Sequence, residues 1–216
     1  MTATLGTVHV VDDDESWRKS VARLLSAAGF HVTSYESAGH FLETANVEEP
    51  GCILLDVRMP GLTGLQLQQR LAEMRHVLPV VFVSGHGDIP TTVLAVKAGA
   101  ADFLSKPVAT NVLLRAVQQA IALDRQERTA HEELDDLRLR FRSLTSTERK
   151  VLALVVRGKL NKQIAEELKT AERTVKWHRH NFMQKLQIHS LAELVSIAEH
   201  LGLVGPHVDS NLDRSK

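Results

Sequence analysis

The first half of this sequence alternates short apolar runs with helical patterns, and this alternation restricts the fold more than any other feature. Three runs are rich in β-branched residues and almost free of polar alternation: Val8–Val11, Cys52–Leu55 and Val80–Val83. Such runs are typical of parallel strands that helices cover on both faces. Weaker runs at 30–33 and 102–105 add two strands. The sequence therefore predicts an α/β domain with a five-stranded, doubly wound parallel sheet and right-handed crossovers.

Beyond this region the strand patterns stop, and an all-α domain is predicted. A helical pattern without proline or glycine runs from Val108 to about Arg142, and four further helical segments follow. Three of these segments begin with a capping residue, namely Thr145, Asn161 and Ser190. We predict an α/β domain at 1–125, a helical linker at 126–143, a four-helix domain at 144–204 and a disordered tail at 205–216.

The long helical pattern carries an apolar stripe with two open interpretations. Ala130, Leu134, Leu137, Phe141 and Leu144 follow one another at 4-3-4-3 spacing, which is a short heptad seam. The stripe packs either on its own domain or on a second copy of the chain.

Charge is distributed unevenly, although 26 Lys and Arg balance 26 Asp and Glu over the whole chain. Residues 144–190 alone hold 10 Lys and Arg against 4 Asp and Glu, which indicates contact with a polyanion. The single cysteine, Cys52, excludes an internal disulfide framework. Neither a signal peptide nor a membrane-spanning run is found, so we expect a cytoplasmic protein without a membrane partner.

Polar residues follow four of the predicted strands. Asp12 and Asp13 follow the first, Asp56 the third, Ser84 the fourth and Lys106 the fifth. Because the carboxyl ends of parallel strands share one edge, these groups should line one crevice. Crowded carboxylates require a cation, and an all-oxygen donor set suits Mg²⁺. With a hydroxyl and an ammonium opposite, the crevice could accept a phosphoryl group that one carboxylate attacks in line.

These motifs resemble the receiver domain of two-component response regulators, a flavodoxin-like fold, over residues 5–125. The matching segments are Val10-Val-Asp-Asp-Asp-Glu15, Asp56-Val-Arg-Met-Pro-Gly-Leu-Thr-Gly64, Ser84-Gly-His-Gly-Asp88 and Asp102-Phe-Leu-Ser-Lys-Pro107. The resemblance implies that Asp56 is the phosphoacceptor and that a sensor histidine kinase is the donor. It also implies that Asp13 binds Mg²⁺ directly, that Asp12 assists, and that the backbone carbonyl of Arg58 completes the protein ligands.

The same resemblance assigns a switch. Lys106 pairs with the phosphoryl group, and the peptide bond between Lys106 and Pro107 is expected to be cis. Ser84 is expected to move toward the phosphoryl oxygen, and Phe103 to rotate into the vacated space. A local change in charge would then alter a remote face.

In the basic region, two helical segments with a short connection predict a helix-turn-helix. Polar and basic residues cluster on the second helix, as expected for a helix that enters the major groove of double-stranded DNA. They are Arg173, Thr174, Lys176, Trp177, Arg179, His180 and Lys185. The opposite residues, Val175, Phe182, Met183 and Leu186, are suited to a core.

Residues 144–201 resemble the LuxR-type DNA-binding domain. The segments that match are Leu144-Thr-Ser-Thr-Glu148, Arg157-Gly-Lys-Leu-Asn-Lys-Gln-Ile-Ala165, Glu172-Arg-Thr-Val-Lys-Trp-His178 and Met183-Gln-Lys-Leu186. The resemblance places Lys176, Trp177 and His180 toward the bases, and Thr174 and Arg179 nearer the DNA backbone.

Three positions depart from the LuxR-type pattern. Trp177 replaces a small β-branched residue, Ala171 a capping Ser or Thr, and Lys169 a turn glycine, the last at a position where φ > 0 is expected. DNA binding is compatible with these departures, but the target sequence cannot be transferred.

Together these features are similar to the FixJ subclass of the NarL/LuxR response regulators. They predict a non-enzymatic transcription regulator whose phosphorylation favours a homodimer on promoter DNA, with RNA polymerase as a further partner. The alternative is a phosphohydrolase of the haloacid dehalogenase type with Asp56 as nucleophile. That family requires an acid two residues beyond the nucleophile, where Arg58 stands in this chain.

Overall fold

The computed structural model describes residues 5–73, 78–85 and 89–200. The chain forms two compact units, and the division between them falls after Ala130. The first unit is α/β and the second is all-α, which confirms the predicted fold class. The predicted tail at 205–216 and the motif positions 86–88 lie outside the described residues. Among the described helices, none has the length and apolar character needed to span a membrane.

Five parallel strands form the sheet of the first unit, in the order β2-β1-β3-β4-β5. They are β1 (Thr7–Val11), β2 (His31–Tyr35), β3 (Gly51–Asp56), β4 (Val80–Ser84) and β5 (Asp102–Ser105). This order confirms the predicted doubly wound sheet. β2 extends to Tyr35, beyond the predicted run at 30–33, because Tyr35 pairs with Val11 of β1. β2 is an edge strand, and Tyr35 is the only buried residue among its five, so its apolar signal is weak.

Helices connect the strands, and local signals in the sequence set their ends. They are α1 (Glu15–Ala27), α2 (Ala38–Thr44), α3 (Gly64–Ala72) and α4 (Ile89–Lys97). α1 begins at Glu15, because the side chain of Asp14 accepts hydrogen bonds from the Ser16 and Trp17 N–H groups and caps the helix. Gly29 and Gly99 follow α1 and α4 with φ values of 94° and 85°, as expected for glycine at a helix C-terminus.

A single helix, α5 (Thr110–Arg142), contains the predicted helical linker. Its first half covers one face of the sheet together with α1, through a core that includes Leu25, Val117 and Ile121. Residues of α2, α3 and α4 cover the other face, where Phe41 and Phe82 are fully buried.

A hydrogen-bonded anchor fixes the middle of α5 to the first unit. Asp124 is 3% exposed and accepts hydrogen bonds from the Gly51 N–H (2.9 Å) and from Nε of Arg128 (2.8 Å). The Arg128 guanidinium also donates to three successive backbone carbonyls of the loop before β3, those of Val47, Glu48 and Glu49. This anchor lies just past residue 125, where the linker was predicted to begin.

His9 is a polar exception within the core of the first unit. It is 2% exposed, and its Nδ1 lies 3.0 Å from the hydroxyl of Tyr35. Burial, and to a smaller extent the nearby His31, lowers the pKa of His9 to about 4. His9 is therefore neutral in the folded protein at neutral pH.

Four helices follow in the second unit: α6 (Ser146–Val156), α7 (Asn161–Glu167), α8 (Glu172–Leu186) and α9 (Leu191–His200). Thr145 and Glu148 form the predicted capping box of α6. Ser190 precedes α9 and accepts a hydrogen bond from the Glu193 N–H, as a cap does. The prediction that Asn161 caps α7 is wrong. Leu160 holds the N-cap position, and Asn161 is the first residue of the helix.

The heptad stripe divides between two environments. Ala130 is exposed, and Leu134 and Leu137 are half-buried. Phe141 and Leu144 instead pack into the core of the second unit, beside residues of α6, α7 and α8. At this end of the stripe, packing on its own domain is therefore the interpretation that the structure supports.

Candidate phosphoryl site and nucleic-acid interface

Two of the three carboxylates that were predicted to share a crevice, those of Asp12 and Asp56, meet at the carboxyl end of the sheet, whereas Asp13 is exposed. Asp56 is the last residue of β3, and Asp12 directly follows β1, which pairs with β3 up to Val11 and Leu55. Asp12 is 1% exposed and Asp56 is 6% exposed. The ammonium of Lys106, just beyond β5, lies 2.5 Å from Oδ2 of Asp12 and 2.9 Å from Oδ1 of Asp56. One cation thus bridges both carboxylates.

The charge balance of this cluster is visible in its pKa shifts. Burial raises the pKa of Asp12, the Asp56 charge adds to this, and the hydrogen bond from Lys106 opposes it. Burial alone would lower the pKa of Lys106, but its hydrogen bonds to Asp12 and Asp56 outweigh that effect and raise it. Lys106 is therefore held in its charged form, while burial works against ionisation of Asp12.

Backbone groups orient both carboxylates. The Asp14 N–H donates to Oδ1 of Asp12 at 2.8 Å, and the Arg58 N–H donates to Oδ2 of Asp56 at 2.6 Å. Nη1 of Arg18 donates to the backbone carbonyl of Asp12 at 2.5 Å, a contact that the sequence analysis missed. Both oxygens of Asp56 thus have defined directions before any ligand arrives.

The donor set is compatible with Mg²⁺. In the described part of the chain, no group of three or more His, Cys, Asp and Glu side chains is arranged around a common metal position, and Asp13 is exposed. Mg²⁺ does not require such a group, since it binds through one or two carboxylates and keeps several waters. Asp12 and Asp56 already hold one cation between them, the Lys106 ammonium. These residues therefore fit the ion.

The predicted switch residues lie on the neighbouring strands. Ser84 is 2% exposed, and its carbonyl accepts a hydrogen bond from the Lys106 N–H at 2.8 Å. Phe103 is half-buried on β5, with its ring centroid 6.1 Å from that of Phe82. The peptide bond between Lys106 and Pro107 is cis, as the resemblance implies.

An aromatic residue that the sequence analysis did not assign to the site completes the surroundings of Lys106. The Lys106 ammonium lies 4.1 Å from the centroid of the Trp17 ring, which is a cation–π contact. Trp17 lies in the first turns of α1, the helix that begins at the carboxyl end of β1. Its position soon after Asp12 and Asp13 was the available signal, because that turn starts at the same edge as the crevice.

In the second unit, α8 presents the predicted polar face to solvent. Arg173, Lys176, Trp177 and His180 are exposed, Trp177 to 59%. The opposite side of α8 is buried in the core through Val175, Phe182 and Leu186, with Met183 partly buried beside them. The helix therefore offers an exposed basic and aromatic surface on a fixed scaffold.

Three of the predicted DNA-binding residues are arranged differently from this exposed group. Arg179 donates from Nη1 to Oδ1 of Asn161 at 2.7 Å and thereby joins α8 to α7. Nζ of Lys185 lies 2.7 Å from Oε2 of Glu148, which is 3% exposed. Thr174 is half-buried. Arg179 and Lys185 thus take part in contacts between helices.

Glu148 has a lowered pKa despite its burial. Burial raises the pKa of its carboxyl, but hydrogen bonds from Lys185 and from Thr145 outweigh burial and bring it below the ordinary value. This pair, at the start of α6 and near the end of α8, is a further feature that the sequence analysis missed, because the two residues are far apart in sequence.

The turn before α8 contains two of the three departures from the LuxR-type pattern, and its backbone agrees with what was expected at both. Lys169 adopts a φ of 50°, in the left-handed region where glycine is usual. Ala171 holds the N-cap position of α8 without a side-chain hydrogen bond. The turn is formed despite both substitutions.

Two family models match the chain in the same order as the two units. The response regulator receiver domain matches residues 8–118, and the luxR family of bacterial regulatory proteins matches residues 142–198.

Full-length relatives share both parts. Response regulator protein TodT of Pseudomonas putida is 41% identical over 201 residues, which are 93% of this chain and 88% of TodT. Transcriptional regulatory protein FixJ of Rhizobium meliloti is 40% identical over 192 residues, 89% of this chain and 94% of FixJ. The solved structure of response regulator StyR is 50% identical, with a TM-score of 0.79, and the match covers 89% of this chain and 98% of that one.

Proposed function

Because this chain belongs to the two-component response regulators with a receiver domain and a LuxR-type DNA-binding domain, we propose that a phosphoryl group on Asp56 controls its action as a transcription regulator. Members of this family are regulators and not catalytic enzymes, so the phosphohydrolase alternative is set aside. The observation that carries the proposal is the environment of Asp56. Its carboxylate is buried at a strand end, between the Lys106 ammonium and the Arg58 N–H.

The chemistry that suits Asp56 is in-line attack on a phosphorylated histidine of a sensor kinase. A carboxylate oxygen of Asp56 forms the new O–P bond as the N–P bond to the imidazole breaks, and the leaving imidazole takes up a proton. Lys106 lies on the side of Oδ1, where its positive charge can stabilise the oxygens of the incoming group. Protein groups therefore act mainly by holding the nucleophile and compensating charge.

Receiver domains typically bind Mg²⁺ for phosphorylation. In this chain Asp12, Asp13, Asp56 and the backbone carbonyl of Arg58 would hold the ion. It would supply positive charge for the phosphoryl oxygens. The geometry of Asp12 and Asp56 supports this assignment, because both carboxylates are buried and both lie within hydrogen-bond distance of one cation, the Lys106 ammonium.

Phosphorylation would be transmitted through Ser84, Phe103, Lys106 and Pro107. An aspartyl phosphate adds negative charge and acceptor oxygens beside the end of β4. Ser84 is the last residue of that strand, and its carbonyl accepts a hydrogen bond from the Lys106 N–H. Because Lys106 directly follows β5, a displacement of Ser84 would be transmitted to that strand. Phe103 on β5 is half-buried and can respond by changing its packing against Phe82.

The output is binding to promoter DNA by α8. Lys176, Trp177 and His180 would face the bases, while Arg173, Thr174, Arg179 and Lys185 would lie nearer the phosphates. A phosphorylated homodimer would place two such helices on paired half-sites and contact RNA polymerase in the cytoplasm. The exposure of Trp177 on the polar face supports a role for its ring in base contacts.

The test is the intact mass after incubation with acetyl phosphate and Mg²⁺, with Asp56→Asn as the matched variant. We expect one phosphoryl adduct on the wild type and none on the variant. Peptide mapping of the adduct to another residue, or equal labelling of the Asn variant, would overturn the assignment of Asp56. Gel-shift titration of a promoter fragment, with and without acetyl phosphate, then tests whether the adduct strengthens DNA binding.

A further inference from the structure

We propose that Trp17 is a positioning residue that holds the ammonium of Lys106 between Asp12 and Asp56. This inference rests on the proposed function, since it assigns a residue that supports phosphoryl transfer to Asp56.

Three groups surround the ammonium of Lys106. They are Oδ2 of Asp12 at 2.5 Å, Oδ1 of Asp56 at 2.9 Å and the face of the Trp17 ring, whose centroid is 4.1 Å away. The two carboxylates are buried, and Lys106 and Trp17 are half-buried, so this contact is partly shielded from water. A cation over an aromatic face is most strongly held in such surroundings.

Trp17 is itself held from two directions. Its backbone N–H donates to Oδ1 of Asp14 at 3.1 Å, which fixes the first turn of α1. Its ring packs against the core that also contains Val21 and Leu25 of the same helix. The half-buried indole therefore forms one wall of the crevice.

A neutral aromatic wall has an advantage over a third carboxylate. Lys106 has a flexible four-carbon stem, and the partners that direct its charge into the crevice are the two groups that phosphorylation requires. When Asp56 receives a phosphoryl group or Asp12 binds a metal ion, those contacts must change. The Trp17 ring is uncharged and takes part in neither event, so its contact would leave the charge of Lys106 available for the phosphoryl oxygens.

The contact can be measured without any phosphoryl chemistry. The ring current of Trp17 should shift the ε-methylene protons of Lys106 to lower ppm values in the NMR spectrum of the full chain. In Trp17→Leu this shift should disappear, while Trp17→Phe should retain part of it. Equal Lys106 shifts in the wild type and in Trp17→Leu would overturn the contact.

The functional test compares rates of phosphoryl uptake from acetyl phosphate with Mg²⁺. We expect Trp17→Leu to slow uptake by about three- to tenfold and Trp17→Phe to restore most of the loss, because cation–π contacts have about this strength and Phe retains an aromatic face. Leu24→Ala is the matched control, since Leu24 lies on α1 and packs against the same core as Trp17. It should lower stability and leave the uptake rate unchanged.

The outcomes separate this inference from the proposed function. An Asp56-dependent adduct that forms equally fast in all the Trp17 variants would overturn the role of Trp17 and leave the function intact. Equal slowing by Leu, Phe and the Leu24→Ala control would also overturn it, because it would indicate a packing effect. A ring-current shift on a wild type that takes up no phosphoryl group would overturn the proposed function and support the contact.

Discussion

The phosphoryl crevice and the exposed face of α8 are both rich in charged residues, yet their side chains are organised in opposite ways. In the crevice, Asp12, Asp56 and Lys106 are tied to one another at hydrogen-bond distance, and both carboxylates are buried. On α8, Lys176 and Trp177 are exposed. The difference agrees with the proposed function. A small phosphoryl group would require groups that are already oriented, whereas DNA would itself cover and order a solvated surface.

Three lysines illustrate this contrast. Lys106 contacts two buried carboxylates, Lys185 contacts one, and Lys176 forms an exposed pair with Glu172 at 3.2 Å. Exposed pairs of this kind contribute little to stability. Removal of each lysine should therefore have a different consequence.

The largest effect is expected for Lys106→Met. Loss of the ammonium removes the charge that stabilises the phosphoryl oxygens, so phosphoryl uptake should slow by about 100- to 1000-fold. The initial rate of adduct formation by intact mass measures this, and circular dichroism verifies that the variant is folded. A rate within threefold of the wild type would show that the contacts of Lys106 are structural only.

Acidification should destabilise the two units at different pH values. The folded pKa of His9, about 4, lies below its unfolded value of 6.5. Neutral His9 therefore contributes to the stability of the folded state above pH 6.5, and this contribution is lost as the pH falls toward 4. That loss is about 3 kcal/mol for the first unit. Glu148 has a folded pKa below 4.5, so its contribution to the second unit is lost only as the pH falls below that value.

Hydrogen exchange resolved by unit, between pH 7 and pH 4.5, measures this difference. Protection of the sheet should fall first, and His9→Leu should remove most of the pH dependence. Simultaneous loss of protection in both units, at the same pH, would contradict the assignment to His9.

A smaller loss of stability is expected for Lys185→Ala. The substitution leaves the buried Glu148 carboxylate without its cation, at a cost of about 2 kcal/mol. Urea denaturation measures the change, and the double variant Glu148→Gln/Lys185→Ala should recover part of it. An unaltered midpoint for Lys185→Ala would mean that the pair contributes nothing to folding.

The smallest effect is expected for Lys176→Ala, whose exposed side chain should make one phosphate or base contact. DNA affinity should fall by about 1 kcal/mol, and the slope of log K against log salt should decrease by about one. The slope from gel-shift titrations at several salt concentrations measures this. An unchanged affinity together with an unchanged slope would remove Lys176 from the DNA interface.

Features that depend on local sequence were predictable in this chain. The strand ends at Asp56 and Lys106, the capping box at Thr145 and the positive φ of Lys169 all follow from neighbouring residues and backbone sterics. The cap assigned to Asn161 was wrong, although the rule behind it is local. The Asn161 side chain accepts a hydrogen bond from Arg179, and the helix begins one residue earlier than a cap at that position would require.

Features that depend on tertiary contacts were not predictable. The Trp17 ring meets Lys106 across the sheet edge, and Lys185 meets Glu148 from another helix. Sequence spacing carries no information about such distant pairs. The assignment of Lys185 to the DNA-binding group came from its charge and helix, whereas its salt bridge depends on how α6 packs against α8.

The anchor formed by Arg128 has a consequence for the construction of hybrid regulators. Its guanidinium ties α5 to the loop before β3, and Asp124 ties the same turn to Gly51. A fusion joint placed at residue 125 would separate the first unit from Arg128 and would remove the hydrogen bonds from Arg128 to the loop before β3. A joint beyond Arg128 would keep the hydrogen bonds of both Asp124 and Arg128, so the first unit could be fused to a foreign output domain without losing them.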